Sequence, residues 1–302
     1  MAQKEMKKTV YTEMIYLGPA FKPLNDVSTD EVSSLIQNGN LQVEDTSVQL
    51  YDGEEVRRLF AFQQHGFEYW QLNNIISEAL HQLAAVPTER ANRIRLRQSI
   101  IPLLTEWGHQ LNLKFNLVVP LDTVYRDTNH KQHSNAFGPV CFAHVDFPST
   151  NFTETLFHFK DTWKVNIELA LGLQPHTLTD EQYTSVQVEK VVNIWMPLTP
   201  CPTKNTLAVM DYSSIDQFDQ ELQPYTAVRR TGNHFTALGV YFRDYHRWIC
   251  QSDMKIGDAV VFDTLHTPHS AATIERPDAR QDHRQSVEVR VLFLNVSPAV
   301  YR

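Results

Sequence analysis

From about residue 115 onward the chain is built of short apolar runs: 114–119, 140–145, 185–195, 207–210, 237–242, 259–262 and 287–295, separated by segments rich in Pro, Asn, Asp and Ser. Runs of that length suit strands, and several of them joined by long excursions predict a β-sandwich or squashed barrel. The turn Lys255-Ile256-Gly257-Asp258, feeding the apolar Ala259-Val260-Val261-Phe262, is the clearest of these signals. The first 115 residues read differently. They hold strand-like pieces at 10–16 and 47–51, then two helical stretches at 69–83 and 89–111, divided by Pro87. Leu72, Ile75, Ile76, Leu80 and Leu83 recur at helical spacing and give the first helix an apolar stripe suited to packing on a sheet. The expected architecture is α+β but mainly β. An N-terminal layer, 1–115, packs on a β core, 116–302, as one compact structural domain.

His144-Val145-Asp146 lies within one of the expected strands. Side chains at i and i+2 of a strand point to the same face, so His144 and Asp146 can reach one ion while Val145 packs behind them. A third ligand needs no sequence proximity, because a barrel brings distant strands together. His269 in Pro268-His269-Ser270 is the expected partner, and His266, three residues earlier, is the alternative. Two imidazoles and one carboxylate with the remaining positions open form the facial triad of non-haem Fe(II) oxygenases. Further on, Arg284 and Ser286 open the last strand and share its face with Glu288 and Arg290. A cation and a hydroxyl so placed suit the far carboxylate of a keto acid through charge-assisted hydrogen bonds.

Composition bounds the partners. The chain has 302 residues, 42% hydrophobic and 21% charged, enough for a full core. A formal charge of −8 without a basic stripe argues against a nucleic-acid surface. The longest apolar stretches fall far short of the ~20 residues that span a bilayer, and the charged opening Met1-Ala2-Gln3-Lys4 lacks the apolar core of a secretory signal. The expectation is a cytoplasmic protein without a membrane partner. Cys141, Cys201 and Cys250 lack C-x-x-C spacing and read as free thiols. His130 and His133 fall in a polar loop, 127–135, read as solvated and long enough to fold over the site; Tyr125 and Arg126 flank it. Asn193 and Trp195 share a strand face, one of them suited to line a pocket and the Trp to core packing.

The H-x-D, distal His and Arg-x-Ser pattern resembles the double-stranded β-helix (jelly-roll, cupin-like) Fe(II)/2-oxoglutarate oxygenases. Longer local matches are His65-Gly66-Phe67-Glu68, Val192-Asn193-Ile194-Trp195-Met196-Pro197-Leu198, His246-Arg247-Trp248, Pro268-His269-Ser270 and Ser286-Val287-Glu288-Val289-Arg290. They resemble the family of gibberellin desaturase, the AsaB-type hydroxylase/desaturases and the CmcJ methoxylation protein. The resemblance implies iron ligands at His144, Asp146 and His269. It implies a 2-oxoglutarate anchor at Arg284 assisted by Ser286, with Arg290 the competitor for that role or a partner for Glu288 or for a substrate carboxylate. It further implies O2 as co-reactant, ascorbate as the reductant in vitro, and a small natural-product or amino-acid-derived substrate. Hydroxylation, desaturation and ring closure all start from one hydrogen abstraction. Met196 stands where that family usually has arginine, which points to a less anionic substrate.

Two other readings stay open. One is an oxidase without 2-oxoglutarate, its Arg-x-Ser pair holding a substrate carboxylate, and the other is a non-catalytic jelly-roll accessory protein. Zinc could occupy the same ligands, since affinity order does not favour Fe(II). If the chain assembles, a homodimer is the expected form.

Overall fold

The computed structural model describes residues 8–17, 27–28, 43–52, 56–129, 138–200, 203–216, 221–228, 234–274 and 283–297. The strands are β1 (Lys8–Leu17), β2 (Val27–Ser28), β3 (Val43–Asp52), β4 (Phe67–Gln71), β5 (Leu117–Asp127), β6 (His144–Val145), β7 (Gln187–Pro197), β8 (Asn205–Met210), β9 (Leu222–Val228), β10 (His234–Val240), β11 (Trp248–Cys250), β12 (Asp258–Asp263), β13 (His269–Thr273) and β14 (Gln285–Asn295). The helices are α1 (Val56–Leu59), α2 (Phe62–His65), α3 (Asn74–Ala85), α4 (Arg90–Gln110), α5 (Phe152–His158), α6 (Lys160–Ala170) and α7 (Asp180–Thr184).

Two sheets face each other. A five-stranded sheet runs β4-β12-β7-β14-β5, and a nine-stranded sheet runs β1-β3-β11-β8-β13-β6-β10-β9-β2. Phe67, Tyr69, Trp195, Val260 and Phe262 of the first interlock with Leu207, Val209 and Ile249 of the second to form the core between them. The nine-stranded sheet curls until its edge strand β1 returns to the segment before β6. There the Ala143 N–H donates to the Ile15 carbonyl at 2.8 Å and a parallel bridge joins Ile15 to Phe142. Met14, Tyr16, Leu50, Met210 and Trp248 fill the inside of that curl. This is the expected jelly-roll, with β1 and β3 in one sheet and β4 in the other.

The last strand shows how the layers are divided. On β14 the odd positions Val287, Val289, Val291 and Phe293 pack with Leu80, Leu96, Leu104 and Trp107 of α3 and α4, so the N-terminal helices cover the outer face of the five-stranded sheet. The even positions Ser286, Glu288 and Arg290 turn toward the other sheet, and all are buried. Period-two alternation therefore puts hydrocarbon on one face and, from Ser286 to Arg290, polar and charged groups on the other, before Leu292 and Leu294 make that face apolar again.

Four expectations are corrected. Residues 69–71 are strand, not helix: Phe67 and Tyr69 are buried at alternate positions and pair with β12. The helix begins at Asn74 because Asn73 caps it, its side chain accepting the Ile76 N–H at 3.0 Å. Its buried stripe is Ile76, Ala79, Leu80 and Leu83, whereas Ile75 is 70% exposed. The run at 140–145 is mostly irregular and pairs as a strand only at His144–Val145, and strand β5 extends to Asp127. Strands β9, β11 and β13 and helices α5 to α7 are not anticipated from the sequence; β11, β13, α5 and α7 are short, and β9 is interrupted by Pro224. The helix at 89–111 and the Gly257 turn are as expected, Gly257 having φ +101°.

Gly66 is a position where only glycine fits. Its φ is +83°, and an added Cβ would lie 2.5 Å from Thr267 Oγ1 and 3.2 Å from Tyr212 Cβ. The left-handed conformation alone costs a residue with a Cβ about 1–2 kcal/mol. Gly66→Ala is therefore expected to lower Tm by roughly 4–8 °C once the contact with Thr267 is added. A melt unchanged from wild type would contradict this packing.

Candidate metal centre

Three side chains that the sequence singled out converge between the sheets. His144 leaves β6, Asp146 follows just beyond its end, and His269 opens β13 directly opposite His144 in register. Their donor atoms all lie within 4.8 Å of one another. Asp146 Oδ1 is 3.7 Å from His144 Nε2 and 3.9 Å from His269 Nε2. The two imidazole centroids are 4.3 Å apart. The set is two nitrogens and one oxygen on one side of a common point, which fits a divalent transition metal.

The neighbours fix how each donor is presented. His144 Nδ1 lies 2.7 Å from the Phe142 carbonyl and His269 Nδ1 lies 3.2 Å from the Thr267 carbonyl. A carbonyl only accepts, so both Nδ1 atoms carry the proton and both Nε2 lone pairs face Asp146. Burial, and then the neighbouring His269, push the His144 pKa down to about 4 against the pull of Asp146, leaving a neutral ligand at neutral pH. For Asp146, burial favours the acid form, but Arg290 and the two imidazoles outweigh it and hold the carboxyl well below its usual range. Its second oxygen, Oδ2, accepts from Asn193 Nδ2 at 2.6 Å and from Arg290 Nη2 at 2.9 Å.

The arginines of this region are partnered unequally. Arg126 pairs with Glu288 through both Nε and Nη2, at 2.6 and 3.2 Å. Arg290 reaches Asp146 and, at 3.4 Å, Asp122. Among the described residues Arg284 has no carboxylate partner: its Nη1 donates to the Thr206 carbonyl at 3.0 Å and its guanidinium lies 5.6 Å from the Trp195 ring. Arg284 is 2% exposed, and its Nε and the neighbouring Ser286 Oγ are buried without a hydrogen-bond partner among the described residues. Burial, and then Arg126, push its pKa down to about 10, so it stays a cation at neutral pH. A buried cation beside an orphaned hydroxyl fits an anionic ligand.

Other sequence candidates are sorted by their contacts. His266 lies outside the donor set; its Nδ1 is 3.1 Å from Asp263. Arg290 does not pair with Glu288, which belongs to Arg126. Tyr125 points to the helical layer and donates to Asp127. Asn193 meets the site, whereas Trp195 is core. Met196 is fully buried among residues of the helical layer, so it faces away from the site and carries no information about substrate charge. His246 is buried against Glu221 at 2.9 Å, a structural contact, and Trp248 is core. Cys141 and Cys250 lie outside the donor set. His130, His133 and Cys201 lie outside the described residues. Tyr225 escapes a reading of the sequence: its ring centroid lies 5.8 Å from that of Phe142, two residues before His144, and burial, and then the negative charge of Asp146, hold its phenol above its usual range. Strand β9 carries it, and Pro224 conceals that strand.

Residues 14–294 match the family described as the oxidoreductase/YMDC permease-like domain. The chain belongs to this family. As a member it is an oxidoreductase, and no helix among the described residues is long and apolar enough to cross a membrane. No curated protein matches it. Among solved structures it is similar to the iron and alpha-ketoglutarate-dependent endoperoxidase NvfI, with a TM-score of 0.68 and 15% identity over 96% of this chain and 99% of that one. A second NvfI structure in a different conformation gives 0.65 and 16% over 96% and 100%. At that identity the likeness is one of fold.

Proposed function

We propose that this family member is a non-haem Fe(II)/2-oxoglutarate-dependent oxygenase that takes hydrogen from an unactivated C–H bond of a small molecule. The observation that carries the proposal is that the space between the two sheets holds both the His144–Asp146–His269 donor set and a buried cation, Arg284, which has no carboxylate partner among the described residues. A triad alone would suit several metals and reactions. A triad beside a built anion site suits a cosubstrate with one end on the metal and a carboxylate at the other. The fold shared with NvfI and the matches to the gibberellin desaturase, AsaB-type and CmcJ family support the same reading.

Bound iron would supply, with 2-oxoglutarate and O2, the oxidising power for C–H cleavage, the keto acid leaving as succinate and CO2. The protein's share comes from its own residues. His144 and His269 offer Nε2 lone pairs locked in place by the Phe142 and Thr267 carbonyls. Arg284 and Ser286 hold the far carboxylate through Nε–H and O–H donors that have no other partner among the described residues. Phe262, whose ring centroid is 4.6 Å from that of His269, and Phe147 beside Arg290 give the site apolar walls that exclude water. Orientation of one C–H bond is then the main catalytic contribution, and hydroxylation, desaturation and ring closure diverge only after that bond is broken. The Arg284–Ser286 pair would equally hold a substrate carboxylate in an oxidase that uses no keto acid.

The test is succinate formation by anaerobically Fe(II)-loaded protein given 2-oxoglutarate, ascorbate and air, beside His269→Ala. Slow succinate release, lost in the variant, is expected. Oxygen uptake with a substrate but without succinate would replace this proposal by the oxidase.

A further inference from the structure

Asp146 is gripped from the side that faces away from the imidazoles. Its Oδ2 takes two donors, Asn193 Nδ2 at 2.6 Å and Arg290 Nη2 at 2.9 Å, while Oδ1 alone faces His144 and His269. Both donors come from the centre of the five-stranded sheet, where Asn193 on β7 and Arg290 on β14 are direct cross-strand partners. Triad and grip thus come from opposite sheets.

Arg290 is in turn braced. Its Nη1 reaches Asp122 at 3.4 Å, and its guanidinium lies 4.8 Å from the Phe147 ring. Asp122 sits in a bulge of β5: Val289 pairs with Thr123 and Val291 with Pro120, so Leu121 and Asp122 together oppose Arg290. The bulge is tied to the helical layer by Arg97 of α4, whose Nη1 donates to the Leu121 carbonyl at 2.9 Å and to Asn166 of α6 at 3.3 Å. A chain of contacts therefore runs from two helices through the bulge to one oxygen of one candidate ligand.

A carboxylate free at both oxygens can bind a metal through one or both, and the second mode would occupy one of the positions left open for reactants. Resting on the metal reading above, we propose that Arg290 and Asn193 are positioning residues that restrict Asp146 to a single donor oxygen and so keep the coordination sphere open. Arg290 then serves the metal ligand rather than the cosubstrate. Asn193 does the same without charge, its amide N–H donating to a carboxylate that can only accept.

The two residues differ in charge, and this separates the effects. Removing neutral Asn193 loosens Asp146 without changing the field at the metal. Removing Arg290 loosens it too, but also removes a cation that opposes metal binding, so affinity alone is ambiguous there. The experiment loads wild type, Asn193→Ala, Arg290→Lys, Arg290→Met and the Arg290→Met/Asn193→Ala double variant with Co(II), reading affinity by calorimetry and coordination by visible absorption. Asn193→Ala is expected to bind about 10–100-fold more weakly. The Co(II) bands should change in intensity in Arg290→Met and most in the double variant, with Arg290→Lys returning toward wild type; a general loss of stability would not produce that order. If the Arg290→Met chains do not fold, Asn193→Ala and Arg290→Lys carry the test on the same two readouts. Wild-type affinity in Asn193→Ala together with wild-type bands in every folded variant would overturn the grip while leaving the metal site standing. Wild type that binds no Co(II) would overturn both.

Discussion

Replacing Asp146 with Ala is expected to abolish stoichiometric Fe(II) binding and all metal-dependent turnover. Loss of a partner outside the ligand set costs about 10–100-fold in metal affinity, and loss of a ligand from a set of three should exceed that. The two Nε2 atoms would then face a gap, because Asp146 Oδ1 lies within 3.7 and 3.9 Å of them and the donor set contains no other carboxylate. Asp146→Asn should fall nearly as far, since an amide keeps the shape but removes the charge. His266→Ala is the matched control: His266 is held by Asp263, and its loss should leave metal content at the wild-type level. Metal content by elemental analysis after anaerobic loading decides the matter. Full loading of Asp146→Ala, or loss of metal in His266→Ala, would mean that a different set of ligands is used.

Arg284→Ala and Arg290→Ala are expected to part in opposite directions. Arg284 is a buried cation without an ion-pair partner among the described residues, so its removal relieves an uncompensated charge and should hold or raise Tm. With Arg284 as the proposed anchor, the same substitution should remove a charge-assisted pair from the cosubstrate, worth about 1.5–3 kcal/mol, or roughly 10–150-fold in the 2-oxoglutarate dissociation constant. Arg290→Ala takes from Asp146 the cation hydrogen-bonded to it and from Asp122 one of its cationic neighbours. That should cost about 3 kcal/mol, the low end for breaking a buried ion pair, because Asp146 keeps the Asn193 hydrogen bond and Asp122 is partly exposed. Its effect on 2-oxoglutarate affinity should be the smaller of the two. Thermal melts paired with titration of 2-oxoglutarate against the metal-loaded variants give both quantities. The reverse order in the titrations would make Arg290 the anchor.

Much of this is legible in the sequence because strand geometry is simple. An i, i+2 pair such as His144 and Asp146 shares a face whatever surrounds it, and the even positions of β14 separate from the odd ones by the same rule. Leu80, Leu83 and the long helix after Pro87 announce a layer over that sheet. The failures have a common cause in contacts remote along the chain. Phe67 and Tyr69 form a strand because β12 offers them a partner, although helical spacing begins only a few residues later. Met196 invites a reading as a substrate contact from its place in a motif, but its parity on β7 turns it to the helices. The different pairing of Arg284 and Arg290 cannot be read from sequence at all: both share one strand face, and only the carboxylates brought by β5 and the segment after β6 distinguish them.

The most direct test of the central claim is anaerobic addition of 2-oxoglutarate to the Fe(II)-loaded chain, monitored by visible absorption, with His269→Ala and Arg284→Ala alongside. Chelation of the keto acid by Fe(II) should give a charge-transfer band that saturates in the wild type. The band should be absent in His269→Ala and should require far more 2-oxoglutarate in Arg284→Ala. A chain that binds one Fe(II) through the triad yet develops no band at any 2-oxoglutarate concentration would contradict the account.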